Sequence, residues 1–305
     1  MNTPARHRLA ARKVSLDRSL EVVPLFRLGD SPEDTPVVFT TDTGGRWRVL
    51  PAPEDRLPGT FDQDVYVELM RRYDEAGRPS DGTIAFTLHN FLRSLGRRVD
   101  GRTYELLRAA LFRLHRTLLE ATAAWHVPGA AEPSDVRFSV LSALVIERRR
   151  AADHHQLALF DASMGPDPGE VRATLAPVLR DNLADRYVTT ISLPRYRRLT
   201  SPVARRLYRL VELARAEGRL AWRVPLERLK DLLPLVQRYP SHLQRVLQPA
   251  HDLLLSAGVL RSAAFRQHQR KWFADYVLGS REPGTLEGRP PGGSAPPGTT
   301  PATPV

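Results

Sequence analysis

At 305 residues the chain has room for about two ordinary domains at roughly 150 residues each. Lysine and arginine together number 45 against 34 acidic residues, and this net charge of +11 points to nucleic acid or another polyanion as a partner, with an acidic protein surface as the second possibility. The absence of cysteine excludes disulfide scaffolds, thiolate zinc sites, iron–sulfur clusters and cysteine nucleophiles, and no apolar run approaches the roughly 18 residues of a membrane span.

Only Lys13, Lys230 and Lys271 are lysines. The arginine bias suits the planar forks that grip phosphate and guanine, although a GC-rich genome would produce it too. Residues 1–21 read as a basic flexible arm carrying Arg6, Arg8, Arg12 and Lys13. They lack the apolar centre of a secretory signal, so a cytoplasmic protein is expected.

Residues 22–150 form the first expected domain. In PVVFTTDTGGRWRVLP, two short apolar runs around Asp42 to Gly45 predict a hairpin. A helix follows over Asp62 to Tyr73, then a short strand over Thr83 to Phe86, then a helix capped by Thr87 that stops at Gly96. Asp100 can cap a third helix, in which Tyr104, Leu107, Leu111, Leu114 and Leu118 recur on one face. Arg102, Arg113 and Arg116 stand on the opposite face, with Ala109 and Glu105 between them. Leu118 to Trp125 and Val136 to Glu147 flank the loop HVPGAAEPSD and predict a two-stranded ribbon. Three helices followed by a β-ribbon is the order of a winged helix.

Residues 151–200 read as a polar connector. It holds the only histidine cluster, Asp153, His154 and His155, and no metal site is expected there. The same order then returns over 201–278. Ser201 with Pro202 opens a helix to about Glu217; Leu220 to Val224 is a strand; Pro225 to Leu233 is a helix. Ser241 and Gln244 make a capping box for a third helix ending at Gly258, with Pro249 expected to bend or shorten it. VLRSAAF and KWFADYV flank Arg266 to Arg270 as a second ribbon. Val65 and Val203, Leu69 and Leu207, Leu88 and Leu226, Phe91 and Leu229, and Leu95 and Leu233 are each 138 residues apart, while Leu107 and Val246, Leu111 and Ala250, and Leu114 and Leu253 are 139 apart. An offset kept through three successive helices predicts an internal duplication. From Gly279 the Pro/Gly/Ser/Thr-rich sequence predicts a disordered tail.

The expected fold is therefore α+β, mainly helical: two tandem winged-helix domains with short ribbon wings, a leading hairpin and a trailing tail. A recognition helix fits the major groove of B-DNA. The candidate DNA-binding residues are Arg102, Ala109, Arg113 and Arg116 in the first copy, and His242, Arg245 and Gln248 in the second. The wings add His126 in the first copy and Arg266, His268, Arg270 and Lys271 in the second. No GxxxxGK[ST], GxSxG, HExxH or His-apolar-His motif occurs, so no catalyst, metal or cofactor is expected.

LPGTFDQDVYVELM (Leu57 to Met70), GRTYELLRAALFRL (Gly101 to Leu114) and LYRLVEL (Leu207 to Leu213), with YPSHLQRVL and LLLSAGVL following in order, resemble the bacterial plasmid replication initiator protein A family over roughly Val22 to Val277. The resemblance implies a protein that binds repeated double-stranded sites, iterons, at a plasmid or secondary-replicon origin. It also implies help in opening the duplex, recruitment of host helicase and initiation proteins, and a possible homodimer through the N-terminal domain. The alternatives are a winged-helix transcriptional regulator, a nickase using Tyr187 or Tyr196, and a nonspecific basic nucleic-acid binder.

Overall fold

A computed structural model of the chain describes residues 13–29, 35–147 and 170–280. The histidine cluster at 153–155, the arginines of the N-terminal arm and residues 281–305 of the expected tail lie outside these.

The described residues open with a strand. In β1 (Lys13–Asp17), Val14 and Leu16 point inward and are fully buried, and the strand pairs antiparallel with β9 (Val188–Ser192). The expectation of a flexible segment up to residue 21 is corrected there, because the partner strand lies far along the chain. Asp17 caps the short helix α1 (Arg18–Val22) by accepting from the Leu20 amide at 2.7 Å.

The expected hairpin forms as β2 (Val37–Thr40) and β3 (Arg46–Leu50). After it come α2 (Thr60–Glu75), β4 (Thr83–Thr87), α3 (Leu88–Ser94) and α4 (Gly101–Arg116). The Thr87 hydroxyl accepts from the Asn90 amide, and the Asp100 carboxylate from the Thr103 amide, so both caps act as the sequence suggests.

The first ribbon differs from the expectation. β5 (Leu118–Trp125) does pair with β6 (Ser134–Phe138), but both join the hairpin in a four-stranded sheet of order β2-β3-β5-β6. Aromatic packing explains this: Trp125 meets Trp47 of β3 edge-on at 5.9 Å and Phe138 of β6 at 4.8 Å. The strand expected over Val136 to Glu147 breaks after Phe138, and β7 (Leu141–Ile146) turns away to pair with β8 (Glu170–Leu175). β8 lies inside the segment expected to be a connector and also pairs with β4, giving the order β4-β8-β7. The rest of its described part folds as α5 (Pro177–Ala184), β9 and α6 (Leu193–Arg198).

The second unit comprises α7 (Pro202–Ala216), β10 (Ala221–Pro225), α8 (Leu226–Leu232), α9 (Pro240–Ser256), β11 (Leu260–His268) and β12 (Lys271–Leu278). Its sheet has the order β10-β12-β11, which matches β4-β8-β7 strand for strand. β10 and α8 begin and end 138 residues after β4 and α3. In the third helix the burial pattern sets the offset at 140, not 139: Leu107, Ala110, Leu111 and Leu114 are buried in α4, and Leu247, Ala250, His251 and Leu254 in α9. A further expectation fails locally. α9 starts at Pro240, with Tyr239 as the cap residue and no side-chain cap, so the Ser241 box is unused. Of the bend or shortening expected at Pro249, the shortening does not occur: the helix runs on through this exposed proline to Ser256.

Polar contacts lock the units together. Asp64 of α2 accepts from the Tyr196 hydroxyl at 3.0 Å and pairs with Arg205. Arg197 donates to the Ser94 carbonyl at 2.8 Å, and Arg228 of α8 reaches Asp42 of the hairpin at 2.7 Å.

Inside the second unit, His251 sits 1% exposed with Nε2 2.8 Å from the Tyr276 hydroxyl. Burial pushes its pKa down to about 4. The unfolded chain therefore takes up this proton first as pH falls, so the associated stability is complete above about 6.5 and lost towards about 4, a total of about 3 kcal/mol. Asp17 works in the opposite sense, since burial raises its pKa to about 7 and favours the folded state as pH falls below that. The expected result is thus a difference: from pH 7 to 5, wild type loses stability in urea unfolding relative to His251→Leu. Parallel pH profiles for the two proteins would show that His251 titrates as a free imidazole.

Candidate nucleic-acid interface

Each unit presents the outer face of its third helix next to a ribbon. α4 packs inward through Leu107, Ala110, Leu111 and Leu114, and the His115 ring in its last turn holds β7 through a 2.9 Å hydrogen bond at the Leu141 carbonyl. This leaves Arg102, Glu105, Leu106, Phe112 and Arg116 exposed and Ala109 half-buried. Arg97 and Arg98, just before the helix, are exposed as well. The Arg116 guanidinium is half-exposed, with only a loose 3.9 Å contact to Asp55, so it is free to turn towards a ligand.

Arg113 does not belong to this face. It is 6% exposed and donates through Nε and an Nη to the two oxygens of Asp62, each at 2.8 Å. Asp62 also accepts from the Gly59 amide at 2.6 Å, which closes the first turn of α2. Helical spacing alone puts Arg113 beside Arg102 and Ala109; the start of α2 covers it. The placement of Arg113 among DNA contacts is corrected to a structural one.

His126 is corrected too. It follows β5, and β5 is not part of the β7–β8 ribbon. Its ring stacks on Tyr187 at 3.8 Å and lies 3.4 Å from an Asp185 oxygen. Residues 148–169, which join β7 to β8 in sequence, lie outside the described residues. Sequence spacing could not have found this ribbon, because its second strand sits beyond a long polar stretch.

In the second unit, His242, Arg245 and Gln248 are all exposed along α9, and Gln248 donates to Asp252 at 2.9 Å. β11 and β12 meet in a two-residue turn in which Gln269 and Arg270 both take positive φ, 45° and 67°. That is the left-handed pair a tight hairpin turn requires. It projects His268, Arg270 and Lys271 into solvent at the tip, while Arg266 lies back along the ribbon with Nε 3.3 Å from Asp275.

Arg102 and Arg116 thus lie exposed on α4, and His242 and Arg245 on α9, with His268, Arg270 and Lys271 at the turn between β11 and β12. Among the described residues, no group of three or more histidines, cysteines or acids could hold a metal ion, and no helix is long and apolar enough to cross a membrane.

The described residues thus hold two α+β units that share the order helix, strand, helix, helix and ribbon. The chain belongs to the replication initiator protein A family, whose model matches residues 16–233. Solved structures share the fold at low sequence identity. Domains 2 and 3 of RctB are 12% identical, covering 86% of this chain and 96% of that one with a TM-score of 0.56. The Pi initiator protein, solved in complex with iteron DNA, is 12% identical, covering 89% and 99% with a TM-score of 0.50. No curated protein sequence matches the chain.

Proposed function

We propose that this replication initiator is a non-enzymatic, sequence-specific DNA-binding protein in which two winged helices engage successive segments of repeated sites at a plasmid or secondary-replicon origin. The observation that carries the reading is the repeat of helix, strand, helix, helix and ribbon with cations on the third helix both times. Arg102 and Arg116 face the groove from α4, and His242, Arg245 and Gln248 from α9. Arg266, His268, Arg270 and Lys271 follow the neighbouring backbone. Family membership supports the role in initiation. Origin opening, recruitment of host helicase and a homodimer through the first unit complete the proposal, as does a nucleoid-associated cytoplasmic location.

A nickase reading is disfavoured by Tyr196, which is 3% exposed, hydrogen-bonded to Asp64 and raised well above the usual phenol pKa by burial. A phenol so held is a poor nucleophile.

Footprinting of the full chain on DNA flanking its own gene, with scrambled competitor at ~150 mM salt, tests the proposal. Protected direct repeats are expected, and uniform protection removed by competitor would reduce the protein to a phosphate binder. On the protected site, Arg102→Ala and Arg116→Ala should each weaken binding by about 1–3 kcal/mol if the residue reads a guanine. Unchanged affinity in both would remove α4 from the interface.

A further inference from the structure

The exposed face of α4 is not uniformly polar. Leu106 is 38% and Phe112 45% exposed, with Ala109 between them. Exposed apolar residues are common singly and need no explanation. These three are different in their setting: they repeat at three-residue intervals along about 9 Å of helix, between the exposed Arg102 before them and Arg116 after them on the same helix. The acid on the face, Glu105, is held by Arg108 at 3.1 Å. At the offset of 140, α9 has Val246, Pro249 and Asp252 in the same places. The second helix therefore offers an aspartate where the first offers a phenylalanine.

Cations at both ends complement DNA, and the one apolar group that a major groove displays on a base edge is the 5-methyl of thymine. We infer that Leu106, Ala109 and Phe112 form a thymine-reading stripe. Arg102 and Arg116 at its ends take guanine edges or phosphates. The two helices would then read in different chemical languages: α4 by methyl contact over about three base pairs, α9 by hydrogen bonds from His242, Arg245 and Gln248. The inference rests on the origin-binding reading above and names the sequence class under the first unit, a short thymine-rich element.

Replacing single thymines of the footprinted site by deoxyuridine removes the methyl and keeps every hydrogen-bonding group. With the full chain, deoxyuridine at two or three neighbouring positions should weaken binding by about three- to tenfold each. Phe112→Ala and Leu106→Ala should each bind the thymine site more weakly and lose the response to deoxyuridine at one position, while Arg245→Ala keeps that response. Specific binding with no deoxyuridine effect anywhere would overturn the stripe and leave origin binding standing. A deoxyuridine response that survives in both apolar variants would assign it to another element and also overturn the stripe. Unchanged DNA affinity in Phe112→Ala, together with altered self-association in sedimentation, would make the face a protein-docking surface. The absence of any specific site would remove this inference and the proposed function together.

Discussion

Arg113→Ala is expected to destabilise the protein by about 3–5 kcal/mol without removing a DNA contact. Arg113 and Asp62 form a two-pronged ion pair that is 6% and 1% exposed, so deleting the guanidinium leaves a carboxylate buried with only the Gly59 amide as a partner. Urea unfolding of the single variants and of Asp62→Ala/Arg113→Ala separates the contributions. The double variant should be more stable than the sum of the single losses implies, because neither charge is stranded. Folded Arg113→Ala protein should bind its site with wild-type affinity. Intact stability with weakened DNA binding would instead return Arg113 to the interface.

Glu21→Gln should cost a similar amount, about 3–5 kcal/mol. Glu21 is 1% exposed and balances two buried arginines of α7: Arg206 at 3.3 Å and Arg209 at 3.4 Å. Arg206 also donates to the Val23 carbonyl at 2.9 Å, and burial beside Arg209 pushes its pKa down to about 9. The Arg209 nitrogens are misaligned for hydrogen bonding, and its guanidinium lies over Phe26 at 5.2 Å and Tyr66 at 5.8 Å. Its charge therefore depends on Glu21 and two ring faces. Neutralising Glu21 leaves two like charges in an apolar seam between α1 and α7. The melting temperature should fall by on the order of 10 °C, and Arg209→Met in the Glu21→Gln background should recover part of it. A Glu21→Gln protein as stable as wild type would mean that water reaches the seam.

The two experiments bear on how much of the molecule was legible in advance. Caps and periodicity placed α2, α3, α4, α7 and α8 within a few residues, because Thr87, Asp100 and Ser201 act on amides three positions ahead. Such signals are local and survive without tertiary context. The recurrence of β4 and α3 in β10 and α8 was legible for the same reason, as each pattern is written within one element. Candidate site residues fared according to their cover: Arg102, Arg116, His242 and Arg245 are exposed, whereas Arg113 and His126 are engaged by residues distant in sequence.

The sequence by itself determined the three helices of each repeat, their recurrence and the cationic excess, since each depends on spacing or composition, but not α1, α5 and α6, which lie in segments read as arm and connector. Only the tertiary structure decided which strands distant in sequence pair and which arginine faces water. β1 finds β9, and β7 finds β8, across separations that no local pattern encodes. Arg102 and Arg113 occupy one stripe of one helix, yet the first turn of α2 lies over the second alone and supplies the carboxylate that keeps it there. Burial is a property of what another segment brings, so helical phase can nominate a face but cannot say which part of it remains open.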